Sequence, residues 1–159
     1  MTSANAVIVS TAAIGTAAVG GVFLAFSSLV MPALGRLPVR DAVATMQSVN
    51  ITAVSPLFMG VLFGSGAVCL VTGWRAVTGW GTPAAPWLLA GSAAYLIGVI
   101  GVTVAANVPL NDQLAALDPS SAPAAALWVH YLSRWTAWNH VRSVAGLLSG
   151  TTFLVARAL

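Results

Sequence analysis

The stretch Trp135-Thr136-Ala137-Trp138-Asn139-His140-Val141-Arg142 decides how the rest of the chain is read. It leads into an apolar run, Ser143 to Ala156, that falls short of the ~20 residues a helix needs to cross a bilayer. The span is completed only by carrying the helix back to about Trp135, which draws Asn139, His140 and Arg142 into or just under the headgroup layer. Ionisable side chains at that depth are costly and rare, and by default they mark a functional site.

The composition agrees with a membrane setting. Of 159 residues, 58% are hydrophobic and 6% charged, where a soluble domain carries about 25% charged residues. The mean hydropathy is +0.92, which places the chain in the integral-membrane class. The basic balance of six Arg against three Asp is spread along the chain, so it forms no patch of the kind nucleic acid needs. Cys69 is the single cysteine; it cannot form an intrachain disulfide, and it carries no information about redox compartment. The N-terminus lacks a basic leader, and its apolar stretch outruns the roughly 7–15 residues of a signal-peptide core, so it reads as a retained helix.

Working outward from Trp135, apolar runs predict spans at about 6–31, 52–74, 87–106 and 135–156. Met31-Pro32 is expected to end the first. Val39, Ala42, Val43, Met46 and Val49 or Asn50 recur at helical spacing opposite Arg40, Asp41 and Gln47, as in a short amphipathic helix lying on the membrane surface. Gly60 and Gly64, like Gly146 and Gly150, have the spacing of close helix packing, within a bundle or between copies. A helix resuming near Pro123 runs into the last span. The expected fold class is therefore all-α: residues 1–159 form one integral membrane four-helix bundle, with a surface helix in the first long loop and an extended start to the fourth span. Such a multi-pass chain is expected in the cell membrane, and a homo-oligomer is compatible with its glycine faces. A positive-inside count puts the long loops in the cytoplasm, but only by one charge once Arg142 is set aside as a site residue.

At 3.6 residues per turn, Trp128, Tyr131, Trp135, Trp138, Asn139 and Arg142 fall on one face of the last helix, and Gly146, Ser149, Gly150 and Phe153 continue it. That face should point inward. A buried arginine needs an anion, several carbonyls or a ligand, and no acid lies in any span. The candidate partners are Asp41, Asp112, the amides of Asn50, Asn107 and Asn111, or a bound molecule. Alternate ends of an up-and-down bundle meet at one mouth, which would bring these groups together. The aromatic stripe of Trp128, Tyr131, Trp135 and Trp138 is either the wall of a slot for a flat ligand or an interfacial aromatic belt. His140 lies about 100° round the helix from Asn139, at the edge of the inward face. It is equally a general base or an interfacial histidine bonded to a carbonyl. His130 lies on another face, and no spacing pattern of cysteines and histidines predicts a metal site.

Four short motifs, Phe23-x-x-Phe26-Ser27 to Met31-Pro32, Met46-Gln47-x-x-Asn50, Asn107-x-Pro109-x-Asn111 and Trp135-x-x-Trp138-Asn139-x-x-Arg142, taken in order, resemble the anthrone-oxygenase-like family of small four-helix membrane proteins. The resemblance covers nearly the whole chain. It implies a helical membrane fold and the oxidation of an anthrone-like polyketide, an apolar aromatic small molecule, with O2 as co-substrate and no other cofactor. It carries over Asn50, Asn107, Asn111, Trp135, Asn139 and Arg142 as site positions. An anthrone enolate is electron-rich enough to react with oxygen unaided, so the protein would remove a proton, hold the oxyanion and exclude water. His140 would take the proton, and Arg142 with the asparagine amides would stabilise the charge. Two other readings use the same residues. One is a non-enzymatic small-molecule or lipid binding protein, or an accessory subunit, with Arg142 holding an anionic group. The other is a metal-dependent oxidoreductase built on His130, His140 and loop aspartates.

Overall fold

In a computed structural model that describes residues 2–159, the chain is a succession of helices: α1 (Ser3–Leu34), α2 (Val39–Ala53), α3 (Pro56–Thr78), α4 (Ala85–Ala115) and α5 (Ala122–Ala158). No strand occurs among the described residues. Three of the helices, α1, α3 and α4, are long and apolar enough to cross a membrane. Their starts follow from local chemistry. Thr2, Ser55 and Ser121 each turn a side-chain oxygen onto a backbone N–H of the first helical turn, and Pro56 supplies the preset φ that favours a proline there. Two hydrogen bonds from Ser120 to the Asp118 carboxylate set the turn before α5 and hold that carboxyl below its ordinary pKa.

Several boundaries differ from the sequence expectation. The first helix passes through Pro32 to Leu34, and the third membrane helix passes through Pro109 to Ala115. A proline inside a helix cannot donate to the carbonyl four residues back, and its ring clashes with it. Here the turn before each proline is widened to π geometry, over Phe26–Val30 and over Thr103–Asn107. Met31 N–H then bonds Phe26 O, and Val108 N–H bonds Thr103 O, so the rod continues instead of ending. The α3 span starts at Pro56, not Thr52, because α2 runs on to Ala53.

The long helices touch in a ring: α1 lies against α5, α5 against α4, α4 against α3, and α3 against α1. Polar side chains within this ring are satisfied across helices. Tyr95 donates to Leu62 O at 2.9 Å, Ser149 to Gly91 O at 2.7 Å, and Thr72 and Ser92 bond each other at 2.9 Å. Arg75 at the end of α3 donates to Asn5 at the start of α1, which places those two ends on one face. The helix α2 roofs the opposite end. Its Ala42, Val43 and Met46 are buried with Leu110, Leu114, Trp128 and Tyr131, and the Gln47 amide donates to Leu114 O and Leu117 O at 2.8 and 2.9 Å. The apolar face of α2 is therefore turned onto α4 and α5 and not, as expected, onto the membrane surface.

The two glycine pairs part company. A Cβ on Gly146 would sit 2.7 Å from Gly20 Cα, and one on Gly150 would sit 2.9 Å from Ala17 Cβ. These glycines let α1 and α5 approach closely. At Gly60 and Gly64 a Cβ would meet nothing within 4 Å, so that pair plays no part in packing within the chain. Gly146→Ala should cost about 1–3 kcal/mol by overpacking and lower the unfolding midpoint of the detergent-solubilised protein. Gly60→Ala should leave the midpoint in place.

Candidate functional site

The inward face of α5 carries a polar cluster centred on Asn139 and Arg142, both buried, at 0% and 5% exposure. Arg142 Nη2 donates to Asn139 Oδ1 at 2.7 Å, and Nη1 donates to Thr103 Oγ1 at 3.3 Å. The guanidinium carbon lies 4.1 Å from the centroid of the Phe23 ring and 5.1 Å from that of Trp135, so the cation also faces two aromatic rings. Asn139 is itself fixed from α1, its Nδ2 donating to Phe23 O and to Ser27 Oγ, each at 2.6 Å. An arginine is thus held among apolar helices by neutral acceptors and ring faces, with no carboxylate among its described partners.

The acceptors come from the widened turns. Ser27 belongs to Phe26–Val30 and Thr103 to Thr103–Asn107. In a regular α-helix a serine or threonine hydroxyl usually serves its own backbone. Thr103 does so, donating to Val99 O at 2.7 Å, and its lone pairs are left to accept from Arg142. Asn107, at the end of the same wide turn, donates through Nδ2 to Trp135 O at 3.2 Å. Wide turns of this kind recur at functional positions in helices.

Above the cluster the aromatic residues of α5 stack on one another. The Trp128 and Tyr131 centroids are 5.6 Å apart with ring planes 16° from parallel, and Tyr131 and Trp135 are 6.2 Å apart at 20°. Asn111 Oδ1 accepts from both Tyr131 Oη and Trp135 Nε1 at 2.8 Å, which locks the stack to α4. Among the described residues four buried side-chain polar atoms have no partner: Arg142 Nε, Asn107 Oδ1, Asn50 Nδ2 and Thr136 Oγ1. Buried polar atoms are nearly always paired in folded proteins, so each such exception needs a reason, and a missing water or ligand is one.

The family model described as anthrone oxygenase matches residues 57–152, a stretch that includes Asn107, Asn111 and the whole of Trp135–Arg142. The chain belongs to the anthrone oxygenase family. No curated protein and no solved structure matches it. Within this family assignment, Asn50 and the α1 groups that hold Asn139 lie before the matched stretch, so the site draws on both parts of the chain.

Of the residues singled out from sequence, Asn107, Asn111, Trp128, Tyr131, Trp135, Asn139 and Arg142 form one connected set of hydrogen bonds and ring contacts. Asn50 points a buried, unpaired amide nitrogen from α2. Trp138 stands apart at 36% exposure, because it falls at the margin of the buried stripe. His140 is exposed and turned to the outside of α5, where it borders two surface grooves, and does not join Asn139 and Arg142. Asp41 and Asp112 are exposed, so neither pairs with Arg142 as the sequence allowed. Among the described residues no group of three or more His, Cys, Asp or Glu side chains comes together, so His130, His140 and the loop aspartates do not assemble as ligands.

Sequence reasoning missed Thr103 and the role of Ser27 and Phe23. A wheel drawn on one helix cannot name partners on another. The available signal was a proline placed a few residues after a hydroxyl or amide on each partner helix, Ser27 before Pro32 and Thr103 and Asn107 before Pro109.

Asn139→Ala should destabilise the protein by more than the ~1–3 kcal/mol of an ordinary lost partner, because the acceptor it removes serves a charge. Adding Arg142→Met should recover part of that loss. A double-mutant cycle on unfolding in micelles measures this, and strictly additive costs would show that the two side chains do not depend on each other.

Proposed function

We propose that the protein is a membrane-embedded oxygenase that converts an enolisable aromatic ketone, of the anthrone polyketide type, to its quinone with O2, and that Arg142 binds the enolate oxygen. Family membership supports an oxygenase-related role. The observation that carries the assignment to this site is the state of Arg142: a buried guanidinium with an unpaired Nε–H, no carboxylate partner, and two ring faces beside it. A buried cation balanced only by neutral groups is electrostatically suited to an anion that forms during reaction.

In this reading the substrate gives up a proton from its methylene carbon, and the charge moves to the ketone oxygen, where Arg142 receives it. Oxygen then adds at the carbanionic carbon and leaves a peroxide. Loss of water across that carbon gives the new carbonyl. The balance is one CH2 group and one O2 giving one C=O and one H2O, so no further reductant is required and no metal or flavin is assigned. Asn50 Nδ2 and Asn107 Oδ1, a free donor and a free acceptor, suit ring hydroxyl and keto oxygens. Asn111 fixes the Tyr131 and Trp135 rings that wall the site, with Trp128 behind them and Trp138 at the rim. The buried cluster contains no base. Stabilisation by Arg142 is therefore what acidifies the C–H, and the proton returns to the peroxide that departs as water; His140, on the outer side of α5, has no part in this step. We further assign α5 from about Trp135 as the fourth span of a four-helix bundle in the cell membrane, since it lies along α1 and α4.

The absence of a base in the cluster is also what favours the second reading, a non-enzymatic binder of an anionic small molecule. Membranes holding the protein, given an anthrone, separate the two readings by oxygen uptake and quinone absorbance. Arg142→Gln should lower the rate about 10²–10³-fold, the range for loss of an oxyanion donor, with the helical content and unfolding midpoint checked in parallel. His140→Ala, on the outer face of α5, should leave the rate at the parental level. A folded Arg142→Gln protein that keeps the parental rate sinks the assignment.

A further inference from the structure

The outer face of α5 carries two grooves that meet at His140 and differ in chemistry. The upper one, about 450 Å³, lies between α5 and the end of α1; Arg36, Ser133, Thr136 and His140 line it together with Pro32 and Leu132. The lower one, about 660 Å³, lies between α5 and α4 and is lined by Ile97, Gly98, Val141, Val144 and Leu148, with His140 at its top. Apart from His140 every side chain in the lower groove is apolar, and no acidic side chain lines either groove.

Their order along the helix matches the order of layers in a bilayer. With α5 as the fourth span proposed above, on which this placement rests, the upper groove takes residues from Leu132 to His140, where that span would meet the headgroups. The lower groove runs from His140 to Leu148, eight residues or about 12 Å along the axis. That is close to the ~15 Å thickness of one leaflet's hydrocarbon, half of the ~30 Å core. Its walls are exposed, with Val144 and Leu148 more than half accessible. Two details show that the upper groove is built. Gly35 passes so close to α5 that a Cβ there would meet Leu132 at 3.1 Å, which brings the adjoining Arg36 to the rim of the groove. Thr136 Oγ1 is buried without a partner, leaving a hydroxyl free for a ligand oxygen.

We propose that these grooves together bind one anionic glycerophospholipid of the surrounding membrane, its phosphate on Arg36 with Thr136, Ser133 and His140 beside it, and one acyl chain lying in the groove below. Charge complementarity selects the occupant: an uncompensated guanidinium sits above a chain-deep apolar trough. The site is separate from Arg142, which points to the opposite side of α5, and it does not depend on the proposed oxygenation.

The test is lipid binding by the whole purified protein in detergent, followed by native mass spectrometry with phosphatidylglycerol, phosphatidylcholine and glycerol phosphate as probes. Phosphatidylglycerol should be retained one per chain and at least tenfold more tightly than phosphatidylcholine, and glycerol phosphate alone should not be retained. Arg36→Gln should abolish the preference, and Val144→Trp, which fills the lower groove from an exposed position, should weaken retention of the lipid. Arg134→Gln, on the same helix but outside both grooves, should leave both unchanged. Equal losses in Arg36→Gln and Arg134→Gln would reduce the effect to general surface charge and overturn the proposal, as would equal retention of the two phospholipids. Retention of glycerol phosphate by itself would assign the upper groove to a soluble anion and equally overturn it.

Discussion

Everything at the loop end of this molecule depends on keeping one guanidinium inside an apolar helix ring without a counter-ion. An unpaired charge there would be prohibitive, and a carboxylate partner would neutralise it. The structure takes a middle course. Asn139 and Thr103 accept two hydrogen bonds from Arg142, and Phe23 and Trp135 turn ring faces toward it. These dipoles and quadrupoles solvate the cation while leaving its positive potential uncancelled, and Nε is left over. A site arranged in this way is electrostatically prepared for a negative charge before one arrives, which is the form of organisation that contributes most to stabilising charged transition states.

That arrangement needs hydroxyls and amides aimed sideways out of α1 and α4, and the two prolines explain how it is obtained. A widened turn precedes each of Pro32 and Pro109 and accommodates the ring, although α4 also widens over Leu96–Gly101 with no proline behind it. Each widening falls at the depth of Arg142 and carries a residue that the site uses. The same substitution of geometry does two jobs: it carries each helix past a residue that would normally end it, and it re-aims Ser27, Thr103 and Asn107 toward α5.

The sequence was most legible where a single helix contains the whole pattern. On α5 the stripe from Trp128 through Phe153 is buried as the 3.6-residue period requires, with Trp138 and His140 diverging at its edges. The helical class, and apolar runs near three of the expected spans, were also readable from hydropathy alone. What was not readable is whatever depends on a second helix. Pro32 and Pro109 looked like stops because the cost of an internal proline is local, while the wide turn that removes the cost is supported by packing. The α2 pattern looked like a membrane-surface helix because one apolar stripe does not say what covers it; the cover turned out to be Leu110, Leu114 and the α5 aromatics. Arg142 was readable as a charge in need of partners, but the loop acids Asp41 and Asp112 are exposed, and the actual partners, Asn139 and Thr103, are neutral.

The close approach of α1 and α5 links these observations. Because Gly20 and Gly146 meet backbone to backbone, α1 is near enough for Phe23 O and Ser27 Oγ, one and two turns further along, to reach Asn139 at 2.6 Å. Asn139 bound in this way has both amide hydrogens directed at α1, so its carbonyl oxygen faces the other way, toward Arg142. The orientation of the guanidinium is thereby set by a contact between two glycines a turn below it. Hydrogen bonds from one helix to another fall away within a few tenths of an ångström of misplacement, and a side chain at either glycine would separate the helices by more than that. The packing of α1 on α5 and the electrostatics of the site are therefore one constraint, and neither glycine can be exchanged without moving the charge.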